Sequence, residues 1–190
     1  TGRIMFDGKD LLDAEAHEIA DLGVARTFQN LALFPRLSVL ENVMVGAHSS
    51  CKVNFASAPF RIGVSREEKR LTQEAMNILG YLDLAAGLPF GTLKRIELAR
   101  AMAAQPRLLL LDEPASGLTH AEVDALGDTI RGLRDHFGLT VLLVEHHMEL
   151  VMGISDKVVV LDFGRKIAEG TPVEVQNNQS VIEAYLGSSA

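Results

Sequence analysis

Apolar residues follow two different periods in this chain, and the change of period marks its organisation. From Leu88 onward, short uninterrupted apolar runs, Leu108 to Leu111, Val141 to Val144 and the core of Lys157 to Leu161, alternate with segments of helical spacing. A run that is apolar at every residue predicts a strand buried on both faces, as in a parallel sheet. Between the first two runs, Val123, Leu126, Ile130, Leu133 and Phe137 step by 3, 4, 3 and 4, which puts one stripe of a helix on the core. Thr119 with Glu122 caps that helix and Gly138 ends it. An earlier helix over 92–105 stops at Pro106. Three strands joined by helical crossovers predict an α/β fold with a parallel sheet and right-handed connections. After the third strand, Lys166 to Glu169 predicts a hairpin partner across Phe163-Gly164, and Thr171-Pro172 with Glu174 starts a short helix.

The first half is less regular. Arg3 to Phe6 predicts a short strand closed by the Asp7-Gly8 turn, residues 15–22 a short helix ended by Gly23, and Val24 to Phe28 a strand that runs into a loop at Gln29-Asn30. Ser38 with Glu41 caps a helix to about Ala47, and Ser65 with Glu68 predicts another ending at Gly80. Ser49 to Gly63, with Pro59, reads as a loop. The start at Thr1-Gly2 carries no Met, so a fragment or processed product of something longer is expected.

Composition narrows the partners. With 190 residues a single domain with a small subdomain is expected. Eighteen Lys+Arg against 25 Asp+Glu give a charge of −7, which argues against a broad nucleic-acid-binding face. One cysteine, Cys51, excludes an internal disulfide and four-thiolate metal sites. No leader and no membrane-spanning run is expected, since the apolar runs are only four residues long. The mean hydropathy of +0.16 fits strands buried on both faces or a docking surface for an apolar partner.

Candidate chemistry falls at strand ends, where open α/β folds bind ligands. Asp112 and Glu113 follow one apolar run and His146 follows the next. Adjacent carboxylates suit a split role, one holding Mg²⁺ through water and the other orienting or deprotonating an attacking water. Alone, Asp112-Glu113-Pro114 fits a cap at the start of a helix equally, and His146 fits a structural histidine. Glu145-His146-His147 lacks a second ligand pair at helical spacing, so zinc is not expected. His17, His48, His120 and His136 read as solvated surface residues.

The order of features says more than any one of them. Gln29 in a loop after a strand, Leu88-Pro89-Phe90-Gly91-Thr92-Leu93-Lys94-Arg95 opening a helix, Leu108 to Pro114, Ser116-Gly117-Leu118 and His146 together resemble the ATPase domain of ABC transporters. Ala25 to Asn30, Phe34-Pro35, Ser38 to Val43, Leu150 to Asp156 and the tail from Gly170 to Gly187 look closest to the ATP-binding subunits of branched-chain amino-acid uptake transporters. The resemblance implies that Gln29 is the Q-loop glutamine, touching Mg²⁺ and moving with the membrane subunits. It makes Leu88 to Thr92 the signature loop, with Pro89, Phe90, Gly91 and Thr92 facing the partner's nucleotide, and Asp112 the Walker B carboxylate on Mg²⁺, partly through water. Glu113 becomes the catalytic carboxylate, Ser116 and Gly117 part of the D-loop, and His146 the switch histidine. It further implies residues 38–92 as a helical subdomain and residues 1–37 and 93–190 as the catalytic core. The implied cofactors are ATP and Mg²⁺. The implied partners are a second ATPase subunit and transmembrane permease subunits, and the implied place is the cytoplasmic face of the cell membrane. The stretch around Gln29 to Gly63, with Leu31, Leu33, Phe34 and Leu37, would meet the permease.

Departures are as informative. The phosphate cradle Gly-x-x-x-x-Gly-Lys-[Ser/Thr] is absent: the one Gly-Lys pair, Gly8-Lys9, is followed by Asp10, and Arg3 stands where the first glycine belongs. Without those backbone N–H groups and that lysine the phosphates lose their main anchor, and this chain alone is expected to be inactive. Pro89 replaces the signature serine, Phe90 a glycine and Thr92 a glutamine; Thr119 replaces an acidic or amide residue after the D-loop; and the stretch from Leu84 to Leu88 is short. A catalytically silent regulatory protein with the same fold is the alternative. Keeping Gln29, Asp112, Glu113 and His146 speaks against it. Only 88 − 29 = 59 positions separate Gln29 from Leu88, too few for the long arms of ATPases in DNA repair.

Overall fold

A computed structural model describes residues 2–27, 33–47, 64–83 and 91–186. The readings for Phe28, Gln29, Asn30, Leu31, His48, the 49–63 loop, the 84–88 stretch, Pro89 and Phe90 lie outside the described residues. The chain opens on a hairpin, β1 (Met5–Phe6) with β2 (Lys9–Asp10), whose turn holds Asp7 at φ 52° and Gly8 at φ 80°. Both turn residues need positive φ, which is why Asp-Gly is found there. Helix α1 is confined to Glu18–Asp21, shorter than residues 15–22, because none of its residues is buried to hold a longer one. Gly23, at φ 86°, leads into β3 (Val24–Arg26).

Helix α2 (Val39–Gly46) has the expected capping box between Ser38 and Glu41. Asn42, 5% exposed, fixes the preceding turn: its Oδ1 accepts from Phe34 N at 2.8 Å, and its Nδ2 donates to the carbonyls of Phe34, Leu37 and Ser38. Helix α3 covers Val64–Asp83, so Ser65 lies inside it rather than capping it, and it runs past Gly80. The apolar stripe Leu71, Ala75, Ile78, Leu82 explains the overrun, since Leu82 is 1% exposed and can be buried only if the helix continues. Helix α4 (Gly91–Ala103) packs against both α2 and α3. Gly46 lets α2 approach α4 closely: a Cβ there would lie 1.8 Å from the Arg100 carbonyl oxygen. Gly46→Ala is expected to cost about 2 kcal/mol or more, because backbone and not a flexible side chain would have to move. A urea unfolding curve with a lower midpoint and unchanged slope would show it.

The next four elements are β4 (Leu108–Asp112), α5 (His120–Phe137), β5 (Thr140–Val144) and α6 (Met148–Ile154). Strands β3, β4 and β5 form a parallel sheet in that order, with Leu108 opposite both Val24 and Thr140 and Asp112 opposite Val144. Leu109 and Leu111 on the central strand and Val123, Leu126, Ile130 and Leu133 on α5 belong to one buried core. Phe137, read as part of that stripe, is instead 40% exposed and lies edge-on to Tyr81 and His136. Strand β5 is not buried on both faces either, with Leu142 and Val144 more than half exposed.

The third apolar run, β6 (Val158–Asp162), is not hydrogen-bonded to the parallel sheet among the described residues. It pairs antiparallel with β7 (Arg165–Gly170) as a separate two-stranded sheet, across a turn with Phe163 and Gly164 at positive φ. Only Val158 and Val160 are buried on β6. They join Ala168, Val175 and Val181 in a second cluster with α7 (Pro172–Gln176) and α8 (Gln179–Leu186). One-sided burial accounts for the antiparallel pairing. Lys157 and Lys166 both contact Glu169 and hold its carboxyl down at about 2. The folded value lies below the ordinary 4.5, so this pairing stabilises the hairpin fully above that pH and is lost as pH falls from there toward 2. Lys157→Ala is expected to raise the Glu169 midpoint in a carbon-13 NMR titration.

Candidate active site

Hydrogen bonding between β4 and β5 continues past Asp112, where Glu113 N donates to Val144 O at 2.8 Å. This bond turns Glu113 to φ 45°, a left-handed conformation that costs a non-glycine residue roughly 1 kcal/mol or more. The chain then folds tightly, with Ser116 N donating to Glu113 O and Leu118 N to Ala115 O, and Gly117 at φ 78°. Asp7, Gln105 and Phe163 also take positive φ, so the strain at Glu113 points to a site only together with the side chains that meet there.

Three predicted residues converge here. The Asp112 carboxylate accepts from Arg26 Nη2 at 2.8 Å, and Glu113 Oε1 lies 3.7 Å from His146 Nδ1. Asp112 and Glu113 are about one-third exposed and His146 is 71% exposed, so the group opens to solvent. Ser116 and Gly117 lie exposed on the turn directly after Glu113. Gly91 and Thr92 form the first turn of α4, and Gln29, Pro89 and Phe90 lie outside the described residues.

Three further residues support the site. The Glu145 side chain is 0% exposed and its carboxylate accepts from Ala115 N at 2.7 Å, His146 N at 2.9 Å and His147 N at 3.1 Å. Lys94, near the start of α4, donates to the carbonyl of Pro114. Burial pushes the Lys94 ammonium below its ordinary range while Glu97 and Glu145 pull it back. Arg26 neutralises Asp112. Glu145 stood in the sequence beside His146, but only its burial reveals what it does. Lys94 and Arg26 carried no separate signal.

Of the histidines read as solvated surface residues, His17 lies 3.5 Å from Glu15, His136 stacks on Tyr81 at 4.8 Å, and His120 packs edge-on to His147. Each is exposed but has a neighbour. His147 Nδ1 is buried with no hydrogen-bond partner.

An Asp carboxylate at a solvent-open strand end is a hard oxygen donor and fits Mg²⁺. A carboxylate and an imidazole facing each other across adjacent strand ends can orient a water and contact an anion, given something to hold the anion.

Residues 1–116 match the ABC transporter family, and residues 165–190 match the family described as branched-chain amino acid ATP-binding cassette transporter. The high-affinity branched-chain amino acid transport ATP-binding protein BraF of Pseudomonas aeruginosa is 40% identical over 99% of this chain and 77% of its own length. The corresponding LivG protein of Escherichia coli is 39% identical with the same coverage. The ADP conformation of MJ1267, an ATP-binding cassette of an ABC transporter, superposes with a TM-score of 0.77 at 28% identity, covering 99% of this chain and 78% of that one.

Proposed function

This chain belongs to the ABC transporter family, and from that premise we propose that it is the ATP-hydrolysing core of a subunit that powers uptake of branched-chain amino acids. The observation that carries the proposal is the meeting of Glu113 and His146, 3.7 Å apart, beside Asp112. Asp112 would hold Mg²⁺, partly through water, with Gln29. The ion supplies charge neutralisation for the phosphates. Glu113 orients the attacking water and accepts its proton, and His146 donates to a γ-phosphate oxygen. Pro89, Phe90, Gly91 and Thr92 of the signature loop would face the nucleotide of a second ATPase subunit, as would Ser116 and Gly117 of the D-loop. We assign residues 38–92 to a helical subdomain and residues 1–37 and 93–190 to the catalytic core.

Docking to a permease at the cytoplasmic face is supported by Phe34, Leu37, Val39 and Val45, all exposed on and before α2. Leu33 is not part of this surface, because it packs on the core. No described helix is long and apolar enough to cross a membrane. The missing phosphate cradle makes this chain alone inactive. Among the described strands β5 pairs on one side only and exposes Leu142 and Val144, so its outer edge is open to a further strand.

Calorimetric titration with Mg-ATP tests this, on the chain and on a subunit extended to include a Gly-x-x-x-x-Gly-Lys loop. The extended subunit is expected to bind and hydrolyse ATP and, with its permease in vesicles, to drive leucine uptake. Binding by the short chain would remove the need for the cradle. An extended subunit that binds without hydrolysing would favour the silent regulatory protein.

A further inference from the structure

Two loops build the site: residues 113–118 after β4 and residues 145–147 after β5. One side chain joins them. Glu145 Oε1 accepts from Ala115 N at 2.7 Å in the first loop, and Oε2 accepts from His146 N and His147 N at 2.9 and 3.1 Å in the second. A carboxylate with no exposed surface is costly to bury, and such burial is sustained where charge-assisted hydrogen bonds satisfy its oxygens. Here each oxygen serves one loop. Lys94, tied to Pro114, sets a positive charge nearby from the start of α4. Ala115 lies between Glu113 and Ser116, and His146 Nδ1 sits 3.7 Å from both Glu113 Oε1 and Glu145 Oε2.

We propose that Glu145 is a positioning residue that fixes the Glu113 loop and the His146 loop to one another, so that the two side chains keep one geometry and move as a unit. It touches no reacting atom. Its effect reaches catalysis through Ala115 and His146, and it rests on the assignment of Glu113 and His146 given above. A shared clamp on two loops matters because misplacing reacting groups by about 1 Å can cost on the order of 100-fold in rate.

Two variants separate the clamp from a local cap. Glu145→Gln is isosteric but its amide nitrogen cannot accept, so one loop is released. Glu145→Asp keeps the charge and can still cap His146 N and His147 N, but it is shorter by one methylene and withdraws from Ala115 N. In the complete subunit both variants are expected to lower kcat about tenfold or more with KM for ATP within about twofold. By hydrogen exchange, Glu145→Asp is expected to speed exchange of the Ala115 amide while leaving His146 and His147 protected. Wild-type kcat in either variant, or an unchanged Ala115 amide in Glu145→Asp, overturns the proposal. Wild-type subunit and Glu113→Gln are run alongside. If wild type does not hydrolyse ATP, the assignment of the site has failed, while the exchange measurement still decides whether the clamp exists.

Discussion

Replacing Glu113 with Gln is expected to lower ATP hydrolysis by the complete subunit by at least about 100-fold, with Mg-ATP binding within about threefold of wild type. Glutamine has the same shape, so the strained turn at φ 45° and the bond from residue 113 N to Val144 O are kept. What is lost is the ability to accept a proton from water. Asp112 does not substitute, because its carboxylate is engaged in an ion pair with Arg26 at 2.8 Å. His146 faces position 113 at 3.7 Å and would still be available to an anion, which is why binding survives. Steady-state phosphate release and calorimetry on the same preparation check both halves. Hydrolysis within tenfold of wild type would move the proton acceptor elsewhere and leave Glu113 as a turn residue.

What the sequence revealed and what it concealed divide along physical lines. Local signals were legible: the boxes at Ser38-Glu41, Thr119-Glu122 and Thr171-Glu174 cap α2, α5 and α7, and Gly138 ends α5 at φ 63°. These depend on residues three or four apart. The convergence of Glu113 and His146 was also legible, because parallel strands in register put their ends together. Pairing was less so. The run Val158 to Leu161 looks as apolar as Leu108 to Leu111, yet one is the half-exposed arm of a hairpin and the other the centre of a sheet. Hydrophobicity states that a strand wants cover, not which strand supplies it. Ser65 misled because Ser-x-x-Glu occurs inside helices as well as at their starts, and α3 already begins at Val64. Glu145 was hidden for a different reason: its partners are backbone N–H groups, two beside it at His146 and His147 and the third 30 residues away at Ala115, and backbone donors leave no mark in side-chain spacing.

The largest stability effect is expected at Leu109. This residue is 1% exposed on the central strand, opposite Ala25 on β3 and Val141 on β5. Leu109→Ala removes a buried isobutyl group from a site walled by two strands and the α5 stripe, so the cavity cannot collapse, and a loss of about 3–4 kcal/mol follows. With a urea slope of about 2 kcal/mol per M, the unfolding midpoint should fall by roughly 1.5–2 M. The loss reaches function, because Asp112 is carried on the same strand three residues on. Leu142→Ala gives the contrast: the side chain is 56% exposed, and truncating it should shift stability by less than about 0.5 kcal/mol. If Leu142→Ala in the complete subunit destabilised as much as Leu109→Ala, the outer face of β5 would be an interior there. The segment that covers it would then hold part of the core beside Glu113 and His146.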